Sequence, residues 1–126
     1  AYQLTRATSV DEAISEANAL ISRLPEDNGD SPVGVSCDLE IAGTEETSNE
    51  VIDAFCNTIS NAGYPTGYYC GYYWNRDYIN DTIKNKWHFW LSQYSDTQDA
   101  PAYIWQHSSS GSVAGIPGNC DINIVC

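Results

Sequence analysis

Asp38 and Glu40 stand two residues apart at the end of a short apolar run, Val33-Gly34-Val35-Ser36-Cys37. Side chains alternate faces along a strand, so both acids point one way while Cys37, Leu39 and Ile41 point the other. Their α-carbons are then roughly 6.6 Å apart. At that separation each negative charge raises the proton affinity of the other, dividing the pair into an acid and an anion at mild pH. Glycoside cleavage uses such a division, because the leaving oxygen must be protonated while positive charge grows at the anomeric carbon. The plainer reading of D-x-E is two solvated acids at a strand end, and the spacing alone favours it.

Other residues with chemical potential offer less. His88 and His107 do not stand in any zinc-type spacing with cysteine, so packing or surface roles are expected, with no metal and no cofactor. Ser108-Ser109-Ser110-Gly111 lacks the G-x-S-x-G elbow of a serine hydrolase and reads as a turn. Nine Tyr and four Trp against two Phe favour rings with a polar handle, which suit a sugar groove. Five Lys and Arg against 17 Asp and Glu, a net charge of −12, disfavour nucleic acid and anionic membrane surfaces. No apolar stretch approaches the ~20 residues of a membrane span.

The elements that would position the acid pair alternate strand and helix. Tyr2 to Arg6 reads as a short strand. Ser9 caps a helix from Val10 to about Leu24, with Glu12 three positions later and Ala13, Ile14, Ala17, Leu20, Ile21 and Leu24 on its apolar face; Pro25 ends it. A polar loop leads to the Val33 to Ile41 strand. Thr47-Ser48-Asn49-Glu50 reads as a second capping box, opening a helix that buries Val51, Ile52, Phe55, Cys56 and Ile59 and stops at Gly63. Beyond Pro65, Tyr68 to Cys70, Trp87 to Gln93, Ala102 to Gln106 and Cys120 to Cys126 read as strands, with one helix over about Asn75 to Ile83 among them. Strands joined through helices imply an α/β fold of parallel units, with catalytic groups at the carboxyl ends of the strands, where Asp38 and Glu40 lie. The 126 residues suit a single domain.

The segment from Trp105-Gln106-His107-Ser108-Ser109-Ser110-Gly111 through Val113, Gly115-Ile116-Pro117-Gly118 and Cys120-Asp121-Ile122-Asn123 closely resembles the closing signature of glycoside hydrolase family 25, the Chalaropsis-type lysozymes. That family ends approximately Trp-Gln-Tyr-Ser-Ser-x-Gly, Val-x-Gly-Ile-x-Gly, Val-Asp-x-Asn, so His107 replaces a Tyr and Cys120 a Val. The D-x-E strand, Gly67-Tyr68-Tyr69-Cys70, Trp90-Leu91-Ser92-Gln93-Tyr94 and the Ala7-Thr8-Ser9 helix entry follow in the family's order. The resemblance covers essentially the whole chain.

The resemblance implies an irregular β/α, TIM-like barrel and a muramidase that cleaves the β-1,4 bond between N-acetylmuramic acid and N-acetylglucosamine in bacterial cell-wall peptidoglycan. Residue by residue, Glu40 resembles the general acid, Asp38 the anion beside the reacting sugar, and Asp121 the carboxylate of the last strand. Tyr69, Trp90, Tyr94, Trp105 and Gln106 resemble substrate-binding positions; as large side chains on strands, the tryptophans have core packing as their plainer role. Two acids on one strand are poorly placed to flank a bond from both sides, which favours attack by the substrate's own 2-acetamido oxygen with Asp38 holding the amide.

The family pattern also exposes a deficit. Its first strand, ending in an Asp within Gly-Ile-Asp-Val-Ser, and the strand after it have no counterpart here. About six of eight strands are expected, with residues 1–126 forming one catalytic domain that corresponds to the carboxyl-terminal two-thirds of the barrel. Either an amino-terminal segment of a longer protein or a second chain completes the barrel, or the chain is a non-catalytic peptidoglycan-binding remnant. A chitinase-like glycosidase is a further alternative, although a further acid is expected there at the position of Ser36. Five cysteines, an odd number, suggest a secreted or digestive-compartment setting, with disulfides. Cys120 and Cys126 are too far apart in an extended strand to pair. Cys56 and Cys70 are candidate mates, and Cys126 is the candidate for a partner lost upstream.

Overall fold

A computed structural model describes residues 2–24, 34–94, 98–113 and 116–125, with the backbone alone for 107, 109–113, 116–122, 124 and 125. Strand β1 (Tyr2–Leu4) leads through helix α1 (Val10–Ile21) to β2 (Val35–Asp38). A 3-10 turn (Glu45–Thr47) and α2 (Ser48–Asn61) return the chain to β3 (Thr66–Gly71). Two short helices, α3 (Tyr72–Tyr78) and α4 (Asp81–Lys86), precede β4 (His88–Ser92), and the chain closes with β5 (Ile104–Val113) and β6 (Ile116–Val125). The strands lie in one sheet in sequence order, β1 to β5 parallel and β6 antiparallel to β5. Among the described residues the sheet is open, with β1 at one edge and β6 at the other. The architecture is the expected α/β one, a six-stranded barrel segment.

Alternation along each strand separates two environments. Val35, Cys37, Leu39, Tyr68, Cys70, Phe89 and Leu91 face the helices and form the core with Val51, Ile52, Phe55, Cys56 and Ile59 of α2 and Ala13 and Ala17 of α1. The residues between them, Asp38, Tyr69 and Trp90, face the concave side and stand in register across β2, β3 and β4. Two glycines shape the entry to β2 and the exit of α2. Gly34 has φ 57° and a Cβ there would lie 1.9 Å from the Pro65 carbonyl oxygen, which accepts from Val35 N at 2.9 Å. Gly63, at φ 95°, ends α2 as expected.

Several local expectations are revised. Ser9 does cap α1, accepting from Glu12 N at 3.2 Å, but the helix ends at Ile21 and tightens through Leu24 N to Ile21 O; Pro25 lies outside the described residues. The second capping box does not form. Thr47 has φ −103° and ψ 7°, and its hydroxyl donates to Thr44 O at 3.3 Å because a 3-10 turn already carries the chain into α2. The single helix over Asn75 to Ile83 is two helices, broken where Ile79 is extended and Asn80 caps α4 by accepting from Ile83 N at 3.0 Å. Ser108 to Gly111 is strand, not turn. Register shifts around Ser108 and Gly111 let β5 bend while β6 pairs with it.

The cysteine pairing is also revised. Cys37, Cys56 and Cys70 are free, buried thiols. Cys56 Sγ donates to Gly67 O at 3.4 Å and lies 3.5 Å from Thr66 Oγ1, so it is turned toward the start of β3. Burial pushes the Cys56 thiol up to about 12, and Cys37 and Cys70 are raised by the same cause. Cys126 lies outside the described residues, as does the side chain of Cys120.

Candidate active site

The carboxyl end of β2 delivers Asp38 to the concave face, and the alternation continues past the strand so that Glu40 follows it there. Both line a groove of about 370 Å³. They occupy different environments. Asp38 is 7% exposed, with its Oδ1 buried and accepting no hydrogen bond among the described residues, whereas Glu40 is exposed. Burial first, then a hydrogen bond with Glu40 and the charge of Glu40, push the Asp38 carboxyl up to about 8. Burial therefore favours the protonated form of Asp38. The spacing predicts an unequal pair, and burial of Asp38 beside an exposed Glu40 makes it unequal.

Aromatic and amide side chains from β3 to β6 wall the groove. Tyr69 and Trp90 meet edge to face, with ring centroids 5.3 Å apart at 80°. The Tyr69 hydroxyl donates to Gln106 Oε1, and the Tyr94 hydroxyl donates to the same oxygen at 3.1 Å. Burial raises the Tyr69 phenol, which keeps it a donor. Two donors on one amide oxygen fix which end of Gln106 is the acceptor and leave its NH2 end as the donating end. Trp90 Nε1 donates to Asn123 Oδ1 at 2.8 Å, which sets the tilt of the indole.

Of the residues singled out from the sequence, Asp38, Glu40, Tyr69, Trp90, Tyr94 and Gln106 come together around this groove. Trp105 does not. It precedes Gln106 on β5 and so faces the helices, packing against the core and donating from Nε1 to Gln93 O at 2.9 Å. Asp121 belongs to β6, and its side chain lies outside the described residues. His88 stacks on Tyr103, with ring centroids 4.4 Å apart, in the packing role expected for it. Sequence reasoning missed Tyr2, Leu4 and Asn123 as lining residues. For Asn123 a signal existed: it sits two positions after Asp121, the same period that joins Asp38 to Glu40.

Comparisons with known proteins bear on the fold and family. The model of glycosyl hydrolases family 25 matches residues 1–116. Among solved structures, the CTP1L endolysin superposes with a TM-score of 0.82 at 23% identity over 99% of this chain and 45% of that one. The Streptococcus pneumoniae glycosyl hydrolase 25 GHIP superposes at 0.79 and 24% identity, over 99% of this chain and 57% of that one. The Cpl-1 endolysin, solved with a peptidoglycan analogue, superposes at 0.74 and 22% identity over 98% of this chain and 38% of that one. The chain thus spans about half the length, or less, of these structures. A search of curated proteins gave no match.

Proposed function

Because this chain belongs to glycosyl hydrolase family 25, we propose that it acts on bacterial cell-wall peptidoglycan as a muramidase, cleaving the β-1,4 bond between N-acetylmuramic acid and N-acetylglucosamine outside the cell. One observation carries this reading: a buried Asp38 beside an exposed Glu40, in a groove walled by Tyr69 and Trp90. Glu40, the member of the pair that solvent and substrate reach, is the general acid at the leaving oxygen. Asp38 faces the developing positive charge, which lowers its proton affinity as the bond breaks. As Glu40 gives its proton to the leaving oxygen and becomes a carboxylate, the Asp38 carboxyl beside it can pass its proton to Glu40 and is left as the anion facing the positive charge. Both acids come from the end of one strand, an arrangement that supports attack by the substrate's 2-acetamido oxygen over a displacement by a second carboxylate. Asp121 on β6 is the third carboxylate of this reading.

The open edge at β1 favours a second reading. Tyr2 and Leu4 of that edge strand line the groove, so a neighbouring strand from an amino-terminal segment or a second chain would complete its wall. In this second reading the chain binds peptidoglycan and does not itself cleave it. Clearing of purified cell-wall suspensions by wild type and Glu40→Gln, with a parallel pull-down on the same walls, separates these readings. Lysis by wild type, abolished in Glu40→Gln with binding kept, supports the muramidase. Binding without lysis in both proteins supports the module, and cleavage of chitin oligomers alone overturns both.

A further inference from the structure

The groove does not end at Glu40. A second hollow of about 590 Å³ shares Glu40, Tyr69 and Tyr94 with it and extends to Tyr72, Tyr73 and Trp74 at the carboxyl end of β3 and the start of α3. Its size falls in the range of roughly 300–1,000 Å³ common for small-molecule sites. Two of its rings are held open to solvent: Tyr73 is 67% exposed and Tyr94 58%. We propose that this hollow is a further glycan subsite, in which Tyr73 stacks on an N-acetylhexosamine unit of the strand whose neighbouring units occupy the acid-pair groove. The proposal rests on the peptidoglycan reading above.

Tyr73 is oriented before any ligand arrives. The Arg76 guanidinium lies 4.8 Å from the Tyr73 ring centroid and 5.9 Å from that of Tyr72, and the two rings meet edge-on at 5.2 Å and 69°. Arg76 is held in turn by Asp77, with Nε donating to Oδ1 at 2.8 Å. Beneath them, Trp74 Nε1 donates to the buried Ser48 Oγ at 2.9 Å, tying α3 to the start of α2. A ring fixed in this way loses little conformational freedom when a ligand covers it. The chemistry of the walls selects a neutral, hydroxyl-rich ligand. Tyrosines, Ser92 and Gln93 offer hydrogen-bonding edges around apolar faces. With a net charge of −12 and Arg76 engaged by Asp77, the unit in this hollow is the uncharged N-acetylglucosamine, and the lactyl carboxylates of the strand belong to the neighbouring units.

The test is calorimetric titration of the full chain with peptide-free glycan oligomers, a disaccharide and a hexasaccharide of alternating N-acetylglucosamine and N-acetylmuramic acid. Tyr73→Ala is expected to weaken the hexasaccharide by about 3- to 10-fold, the range of one aromatic contact, and to leave the disaccharide unchanged. Tyr73→Phe keeps the stacking face and is expected to bind both as wild type does. Equal weakening of both oligomers, or none of either, overturns the subsite while leaving the acid-pair reading intact. A wild-type chain that binds neither oligomer overturns both. Unchanged circular dichroism and thermal midpoint confirm that the exposed Tyr73 was removed without disturbing α3.

Discussion

Replacing Asp38 with Asn should change how stability depends on pH, and in a definite direction. The folded-state carboxyl holds its proton up to about 8, against an ordinary value of 3.8. The unfolded chain thus releases this proton from about pH 4, and the folded chain only near pH 8. Between those limits the native state binds more protons than the unfolded state, so stability falls as pH rises. At about 1.4 kcal/mol for each tenfold change in proton affinity, the full rise corresponds to at most about 6 kcal/mol. Water in the groove and local relaxation screen the buried charge, so about 2–3 kcal/mol is expected by pH 8. Urea denaturation of wild type and Asp38→Asn from pH 4 to pH 8.5 measures it. Near pH 4 the two proteins should be about equally stable, and by pH 8 the Asn protein should lead by that margin. In Glu40→Gln, which removes the second and third causes of the rise but not burial, the wild-type slope should persist over a narrower window. Parallel pH profiles for wild type and Asp38→Asn would refute the argument that burial holds the proton on Asp38.

Four further outcomes follow from the same structure. On the muramidase reading, wall lysis should decline as pH rises through about 8, where Asp38 gives up its proton; a rate-pH profile on purified walls checks this, and a rate still rising beyond pH 9 would contradict it. Gln106→Leu strips the acceptor from the Tyr69 and Tyr94 hydroxyls. With Tyr69 buried, it should cost about 1–3 kcal/mol in chemical denaturation, while Gln106→Glu, which keeps an acceptor, should cost less. Gly34→Ala meets the Pro65 carbonyl at φ 57° and should lower the thermal midpoint markedly, whereas Ala at exposed Gly43, where a Cβ meets nothing within 4 Å, should lower it less. Cys37, Cys56 and Cys70, buried and held as thiols, should resist alkylation in the native protein and react on unfolding, read by peptide mass mapping.

Much of the fold was legible because period-two and period-3.6 patterns report which face is buried. The α2 face of Val51, Ile52, Phe55, Cys56 and Ile59 is buried as read, and all six strands lie near their expected positions. What failed was local competition. Thr47 looked like a cap, but the preceding 3-10 turn left its hydroxyl donating to a carbonyl, and the polar Ser108-to-Gly111 run passed for a turn because β6 pairs with it across irregular register. Trp105 drew attention by its type while its neighbour Gln106 held the groove position. Counting in twos from Tyr69 or Trp90 cannot settle such a case, because strand register across a sheet is not written in either strand alone.

The acid pair illustrates the same limit in chemical form. Spacing treats Asp38 and Glu40 alike, so it predicts that one proton is shared but not who holds it. The asymmetry comes from tertiary surroundings: Leu4 pairs with Asp38 from β1, and Tyr69 pairs with it from β3, enclosing one carboxyl, while Glu40 lies beyond the last paired residue and stays exposed. The enclosing wall on one side is a sheet edge. A strand added beside β1 would deepen the burial of Asp38 and raise its proton affinity further, unless it brought a cation or donors toward Oδ1, which accepts no hydrogen bond among the described residues. The β1 edge, where Tyr2 and Leu4 meet the groove, is thus one of the surroundings that bury Asp38. A chain or segment that docks there should shift the pH dependence of Asp38 in the same measurement that detects its binding.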